Sequence, residues 1–510
     1  MKRFAPRAVI VLLLLSLAAA GQQAAPHPLR FEVTISRALG TAPVSGRLLV
    51  LLSKREPQEG FLAPGFGATA RKTWIAAREI AGVLPGQTVA VDADELAFPA
   101  PLSTAPPGDY YAMAMLDVDH NAAYRFFTAG DLRMKAVALG PFNPGRAGSV
   151  RLTLNERVPQ QKTVALPPGM EWVDLTSPPP SGFHGRPIHM RAVVVLPPSY
   201  KGNSRRFPTV YLIPGFGAMA DDLPSSFGDA VLNEMSDRRA PEMIYVLLDE
   251  SLPTGTHEFA DSANNGPWGT ALVTELIPWL ESKYRMEAKP EGRFVTGHSS
   301  GGWAALWLQI MHPDFFGGVW ATSPDPVDFR NFTGPDIAGA KPGSNIYLKP
   351  DGSPWMLVRM HGKDAESFRD YAQQERVLGD YGGQMSSFEW VFSPRGGDGR
   401  PLQLFNRVTG EIDPTVAHAW EKYDISRILR EHWTTLGTKL KGKIHIFVGT
   451  ADSFHLETSV GLLDQQLKNL GADAAITYIP GRTHFDLYEG ELSIRIAKEM
   501  YSVSQVQRHE

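Results

Sequence analysis

The hydrophobic and polar positions change their pattern part-way along the chain. Between about residues 28 and 158, short apolar runs are separated by glycine and proline, which is typical of an antiparallel β-sandwich. The run from Tyr110 to Leu116 has too few polar positions for an exposed strand. We therefore predict it to be a central strand.

A second pattern begins at His189, where short apolar runs alternate with longer segments of helical periodicity. This alternation is typical of crossover units over a parallel sheet. About 120 residues separate the predicted strands that end near Ser323 and begin at Lys443, far more than a crossover needs. We therefore expect an inserted cap at about residues 325–440. The predicted strands are 189–196, 209–213, 243–248, 293–296, 318–321, 443–448 and 474–478, and the predicted helices are 271–284, 301–311, 457–470 and 487–501.

Proline clusters between the two patterns, at Pro167-Pro168 and Pro178-Pro179-Pro180. Because proline-rich stretches form stiff extended connectors, we expect a linker at residues 161–184. The predicted organisation is a β-sandwich at 27–160 and a catalytic domain at 185–505 that carries the cap.

The first 20 residues have the order of a secretory signal peptide. Lys2, Arg3 and Arg7 precede an uncharged apolar run, and small residues follow up to Ala20. The run is about 12 residues long, shorter than a membrane-spanning helix requires. We predict cleavage after Ala20, no membrane span after cleavage, and a periplasmic or secreted protein.

The amino-acid composition excludes several kinds of reactive site and one class of partner. The 510 residues include no cysteine, which excludes disulfides, thiolate nucleophiles and cysteine-ligated metals. Lys and Arg number 50 and Asp and Glu 54, for a net charge of −4. Because no basic run stands out, nucleic acid is not an expected partner.

One motif carries a candidate nucleophile. Gly297-His298-Ser299-Ser300-Gly301 lies between a predicted strand and a predicted helix, the context in which G-x-S-x-G exposes a serine hydroxyl on a strained turn. We predict that Ser299 is the nucleophile and that Ser300 supplies a backbone N–H. A glycine-rich turn without chemistry is the alternative.

A serine nucleophile needs a base and an acid that orients the base, and in this architecture they follow in the order Ser, Asp or Glu, His. Asp452 follows the predicted strand 443–448, and His484 follows the strand 474–478. Both belong at the edge of the sheet where ligands bind, so we predict Asp452 as the acid and His484 as the base. Asp486 is the alternative acid. We interpret the other nearby histidines, His298, His445 and His455, as structural residues.

The tetrahedral intermediate needs two N–H donors. The first is predicted to be the backbone N–H of Ser300, directly after the nucleophile. The second usually follows the strand that leads into the first crossover, here Thr209 to Ile213. Because Gly215 and Gly217 let that loop turn, we predict the backbone N–H of Phe216 as the second donor.

The segments that carry a family resemblance are 208–217, Glu275-Leu276-Ile277-Pro278-Trp279 with Tyr284-Arg285, the elbow G-H-S-S-G-G, the turn G-T-A-D and the loop P-G-R-T-H. Together they resemble the Putative esterase family of α/β-hydrolases, which includes S-formylglutathione hydrolases, feruloyl and acetyl-xylan esterases, enterochelin esterases and mycolyltransferases. The resemblance covers about residues 185–323 and 441–500. It implies the same roles for Ser299, Asp452 and His484, and a sandwich before the catalytic domain is most similar to enterochelin esterases.

The predicted fold class is α/β, an α/β-hydrolase fold with a large inserted cap, preceded by an all-β sandwich. The expected activity is hydrolysis of a small-molecule or glycan carboxylic ester, without a metal or organic cofactor. Acyl transfer to a sugar or lipid acceptor and non-catalytic glycan or partner binding are the alternatives. One departure stands out, since the family often has His-Gly after the oxyanion strand and this chain has Pro214-Gly215.

Overall fold

The computed structural model describes residues 29–146, 148–160, 164–379 and 381–506. The predicted signal peptide at 1–20 lies outside these ranges. Within them, no helix combines the length and apolar character needed to cross a bilayer.

The N-terminal region consists of two sheets with a shared core. A three-stranded sheet has the order β4-β1-β9, and a seven-stranded sheet has the order β10-β7-β6-β2-β3-β5, with β8 paired to β6. Phe31 and Val33 of the first sheet share a core with Leu49 and Met113 of the second. The strands are β1 Arg30–Ile35, β2 Val44–Ser53, β3 Thr73–Val83, β4 Thr88–Asp92, β5 Ala97–Phe98, β6 Gly108–Asp117, β7 Leu132–Arg133, β8 Val137–Phe142, β9 Ser149–Leu154 and β10 Glu156–Arg157.

The predicted central strand at Tyr110 to Leu116 is confirmed. It lies within β6, which pairs with β2 on one side and with β7 and β8 on the other. Because side chains on both faces of β6 are covered, the pattern lacks the polar alternation of an exposed strand.

The rest of the chain is organised around an eight-stranded sheet with the order β11-β12-β14-β13-β19-β20-β23-β24. β11, β12 and β14 are joined by antiparallel pairing, and the pairs from β14 to β24 are parallel. All seven strands predicted after His189 are present in this sheet. The strands of this sheet are β11 Met170–Thr176, β12 His189–Val195, β13 Thr209–Ile213, β14 Ile244–Leu248, β19 Arg293–His298, β20 Gly318–Thr322, β23 Ile444–Gly449 and β24 Ala474–Ile479. Three separate strand pairs are β15 Ser251–Leu252 with β16 Gly255–Thr256, β17 Asp261–Ser262 with β18 Gly266–Pro267, and β21 Met356–Met360 with β22 Lys363–Ser367.

Eleven α-helices lie within the described ranges. Two π-helical turns extend them, Pro224–Gly228 before α2 and Leu272–Leu276 between α3 and α4. The helices are α1 Pro178–His184, α2 Asp229–Ser236, α3 Trp268–Ala271, α4 Ile277–Lys283, α5 Ser300–Met311, α6 Phe368–Leu378, α7 Gln384–Phe392, α8 Pro414–Trp420, α9 Ile425–Leu436, α10 Leu456–Asn469 and α11 Leu492–Val506.

The expected linker at 161–184 differs from the structure. Residues Met170–Thr176 form β11 at the edge of the large sheet, and Pro178-Pro179-Pro180 begin helix α1. Proline is compatible with the first turn of a helix because the N–H groups there have no helical partner. The prolines therefore start a helix here and do not form an extended connector.

The segment between β20 and β23 contains the β21–β22 hairpin and helices α6 to α9. Its side chains Phe332, Phe388 and Trp420 belong to the same apolar core as the large sheet. Val377 and Leu378, at the end of α6, join the core of the N-terminal strands. The segment therefore packs against both parts of the molecule.

Candidate active site

The G-x-S-x-G segment forms a tight strand-to-helix turn in the middle of the large sheet. Ser299 has φ 59° and ψ −126° between the end of β19 and the start of α5, a backbone conformation that is unfavourable for a residue with a side chain. A Cβ at Gly297 would lie 2.1 Å from the carbonyl oxygen of Gly301, and a Cβ at Gly301 would lie 2.2 Å from that of Ile213. The two glycines therefore allow the strand and the helix to pass closely enough for this turn.

Asp452 and His484 meet at the carboxyl edge of the sheet, in the loops after β23 and β24. His484 Nδ1 donates to Asp452 Oδ2 over 2.9 Å, and both side chains are buried. The pKa of Asp452 is below its ordinary value because attraction to His484 and hydrogen bonds outweigh the effect of burial. Asp452 is therefore ionised at neutral pH.

His298 lies beside this pair. Its ring centroid lies 4.4 Å from that of His484, and its Nδ1 lies 3.1 Å from Thr322 Oγ1. Burial, followed by repulsion from His484, lowers the pKa of His298 to about 3. His298 is therefore neutral at physiological pH and places no second positive charge beside His484.

The loop after β13 runs directly beside the nucleophile. A Cβ at Gly215 would lie 3.2 Å from the carbonyl oxygen of His298 and 3.3 Å from Ser299 Cβ. Phe216 follows Gly215 in the turn, and Ser300 begins α5. The two residues predicted to supply oxyanion donors thus flank Ser299 on two different segments.

The other sequence candidates have structural surroundings. The side chain of Ser300 is fully buried, whereas Ser299 is 8% exposed. Asp486 accepts the backbone N–H of Thr483 and so stabilises its own loop. His445 stacks on Trp320 inside the sheet, and His455 precedes α10 with φ 60°.

The profile of the Putative esterase family matches residues 186–485, more than half of the chain. The chain belongs to this family.

The esterase Rv1288 of Mycobacterium tuberculosis is 31% identical to this family member over 115 residues, 22% of this chain and 24% of the relative. The uncharacterized protein YbbA of Bacillus subtilis is 24% identical over 144 residues, 26% of this chain and 56% of that protein. This chain thus spans about a quarter of Rv1288.

Two solved structures of low identity are also similar. A ferulic acid esterase has a TM-score of 0.38 and 16% identity, covering 65% of this chain and 98% of that one. The S-formylglutathione hydrolase of Agrobacterium tumefaciens has a TM-score of 0.37 and 15% identity, covering 66% and 94% of the two chains.

The site of this family member contains a carboxylate that the sequence interpretation missed. The Ser299 hydroxyl donates to Asp325 Oδ1 over 3.2 Å. Asp325 follows β20, at the same edge of the sheet as Asp452 and His484. Its position after a parallel strand is the signal that could have identified it.

The N-terminal region contacts the loop that carries Phe216. The Tyr124 hydroxyl donates to the carbonyl oxygen of Ala218 over 2.7 Å. Its ring meets that of Phe216 edge-on at 4.9 Å, and Arg125 Nη1 lies 3.1 Å from Asp222 Oδ2. The N-terminal region therefore helps to hold this loop in place.

Tyr124→Phe is expected to reduce kcat/KM for ester hydrolysis by about 2- to 10-fold, since a typical hydrogen bond contributes about 0.5–1.5 kcal/mol. Steady-state kinetics would check this. Tyr110→Phe is the matched control, because the Tyr110 hydroxyl donates to Pro106 O within the N-terminal region. An equal loss in both variants would contradict a specific effect on the Phe216 loop.

Two more acidic side chains are buried in the same region. Glu250 and Glu258 are almost completely buried, and neither carboxyl oxygen of Glu250 has a hydrogen-bond partner among the described residues. Burial, followed by repulsion from Glu258 and Asp325, raises the pKa of Glu250 well above its ordinary value. Burial, followed by repulsion from Asp325, does the same to the pKa of Glu258. Both carboxyl groups therefore favour the protonated form in the folded chain.

This protonation makes stability depend on pH. The unfolded chain releases the Glu250 proton near its ordinary pKa, while the folded chain retains it, so the free energy of unfolding falls as pH rises above that value. Glu250→Gln removes this proton and is expected to make the fall shallower, by up to about 1.4 kcal/mol for each pH unit. Urea unfolding between pH 5 and 8 checks this, with the exposed Glu411→Gln as the control. Equal slopes in wild type and Glu250→Gln would contradict a retained proton.

Asp452→Asn is expected to reduce kcat by about 10⁴-fold, because an amide no longer holds the Nδ1–H tautomer of His484 or stabilises its positive charge. Asp486→Asn is the matched control, since its Oδ1 can still accept the Thr483 N–H. If Asp486→Asn lost as much activity as Asp452→Asn, Asp452 would not be the orienting acid.

Proposed function

We propose that this protein is a serine-dependent carboxylic ester hydrolase with Ser299 as nucleophile, His484 as base and Asp452 as orienting acid. The observation that supports this most strongly is the strained turn at Ser299 beside a buried Asp452–His484 pair. Membership of the Putative esterase family supports the same reaction class.

Acylation begins when the Ser299 hydroxyl turns from Asp325 towards His484 by rotation about its Cα–Cβ bond. His484 Nε2 takes the hydroxyl proton as Oγ forms a bond to the ester carbonyl carbon. The bond to the alcohol oxygen then breaks, and His484 returns the proton to the leaving alcohol. In deacylation, water repeats the attack with His484 again as the base.

Negative charge develops on the carbonyl oxygen during both attacks. We assign its two donors to the backbone N–H groups of Ser300 and Phe216. The close approach of Gly215 to Ser299 supports this assignment, since it brings the Phe216 turn to the reacting atom. Pro214, where the family often has His, lies at the start of this turn.

The proposal extends to the rest of the chain. Residues 27–160 would form a β-sandwich domain that braces the Phe216 loop, and residues 325–440 a cap over the site. The contacts of Tyr124 with the loop and of Gln384 with Asp325 support these roles. Export to the periplasm or the medium is supported by the signal-like pattern of residues 1–20.

Hydrolysis of p-nitrophenyl acetate by the purified protein tests this function. The expected result is release of p-nitrophenol and free acetate that Ser299→Ala does not catalyse. Product analysis with glucose or glycerol present separates hydrolysis from acyl transfer, because transfer would yield an acetylated acceptor. No release above that of Ser299→Ala would contradict the proposal, and so would acetylated acceptor in place of free acetate.

A further inference from the structure

Asp325 is bonded to the nucleophile in two ways. Its backbone N–H donates to the Ser299 carbonyl oxygen over 3.0 Å, and its Oδ1 accepts from the Ser299 hydroxyl over 3.2 Å. Its Oδ2 accepts from Gln384 Nε2 over 3.3 Å, and the side chain is 5% exposed. Asp325 is thus a buried carboxylate held against the reacting oxygen from the side of the inserted segment.

Acylation removes one of these hydrogen bonds. When Oγ bonds to the acyl carbon, its proton passes to His484 and leaves with the alcohol, so the acylated oxygen has no hydrogen to donate. Asp325 Oδ1 then loses its donor while the carboxyl group stays buried. A buried carboxylate without its donor is unfavourable, so a new donor at this place stabilises the acyl-enzyme and the transition states on either side of it.

The acyl group itself can supply this donor. The carbon next to the acyl carbonyl lies only two bonds from Ser299 Oγ, and Oδ1 is 3.2 Å from that same oxygen. A hydroxyl or ammonium group on this carbon can therefore reach Oδ1. The other charged groups that act on Asp325 are His484, which attracts it, and Asp452, which repels it, and the acidic Glu250 and Glu258 also lie close enough to interact with it.

We propose that Asp325 is a specificity-determining residue that accepts a hydrogen bond from a donor on carbon 2 of the acyl group, and that the preferred substrates are 2-hydroxyacyl or 2-aminoacyl esters. This inference rests on the proposed role of Ser299 as nucleophile. It concerns the acyl half of the ester and leaves the alcohol half open.

The test compares four ethyl esters: acetate, methoxyacetate, glycolate and glycinate. Methoxyacetate is the matched control for glycolate, because its oxygen also withdraws electrons but has no hydrogen to donate. Each kcat/KM is divided by the rate constant for hydroxide hydrolysis of the same ester, which removes the difference in intrinsic reactivity. The enzymes are wild type, Asp325→Ala, Asp325→Asn and, as a control, Asp336→Ala, which removes an exposed carboxylate of the same segment.

For wild type and Asp336→Ala, the corrected ratio of glycolate or glycinate to methoxyacetate is expected to be on the order of 10-fold or more. In Asp325→Ala the ratio is expected to fall to about 1. Asp325→Asn keeps a neutral acceptor, so it retains part of the preference for glycolate and loses that for glycinate. Preference for glycinate over glycolate in wild type would identify ammonium as the donor, and the reverse would identify hydroxyl.

Two results would overturn the inference while the proposed function stands. The first is hydrolysis of all four esters by wild type with corrected ratios near 1. The second is a corrected ratio to methoxyacetate that stays at the wild-type value in Asp325→Ala. Circular dichroism checks that this variant folds. If only Asp325→Asn folds, an unchanged glycinate-to-methoxyacetate ratio in that variant is the overturning result. Hydrolysis by Ser299→Ala at the wild-type rate would instead contradict the proposed function itself.

Discussion

Ser299→Ala is expected to reduce kcat for ester hydrolysis by about 10⁶-fold, because it removes the atom that forms the covalent intermediate. The strained turn at Ser299 is a property of the backbone and of the flanking glycines, so we expect the variant to fold. Circular dichroism and thermal unfolding check the fold, and initial rates with p-nitrophenyl acetate check the activity. Residual hydrolysis above that of water would come from the remaining oxyanion donors.

Ser300→Ala is the comparison variant for Ser299→Ala. It keeps the backbone N–H assigned to the oxyanion and changes only a fully buried hydroxyl. Its activity should therefore remain far above that of Ser299→Ala. If the two variants lost activity in the opposite order, Ser300 would be the nucleophile and the interpretation of the elbow would be wrong.

His484→Ala is expected to have an effect of the same size, about 10⁶-fold on kcat, because removal of either the nucleophile or its base disables the pair. The imidazole ring lies between Asp452, which holds its Nδ1, and the neutral His298. Without it, the base that we assign to the Ser299 proton is missing. The measurement is again the initial rate with p-nitrophenyl acetate.

His455→Ala is the matched control for His484→Ala. His455 lies three residues after Asp452 in the chain and directly precedes α10, and its Nε2 has no partner among the described residues. We expect His455→Ala to hydrolyse the ester close to the wild-type rate. A large loss in His455→Ala with activity retained in His484→Ala would reverse the assignment of the base.

The catalytic region was predictable to the extent that local patterns determine it. Parallel strands buried on both faces have continuous apolar runs, so each strand from β12 to β24 in the large sheet could be located. Ser299, Asp452 and His484 each follow a parallel strand, β19, β23 and β24, which placed all three at one edge of that sheet. The structure brings His484 and Asp452 into contact there.

Three features of the structure were not predicted from the sequence, each for a physical reason. β11 was not predicted because it lies between two proline clusters, which suggested a linker. The second of these clusters in fact starts a helix. Asp325 was not predicted as a site residue because the sequence Ser323-Pro324-Asp325-Pro326 indicates only a turn. The hydrogen bond between Asp325 and Ser299 depends on the pairing of β20 with β19, which the sequence does not reveal. The hydrogen bond from Tyr124 to Ala218 joins residues 94 positions apart, and no local pattern encodes a contact between distant loops.

The most direct test of the central claim is labelling with a fluorophosphonate probe, followed by peptide mapping. The probe reacts with an activated serine, so wild type should gain one phosphonyl group on the peptide that contains Ser299. Ser299→Ala and His484→Ala should show no labelling. Label on a different residue, or equal labelling of wild type and Ser299→Ala, would contradict the role of Ser299 as the nucleophile.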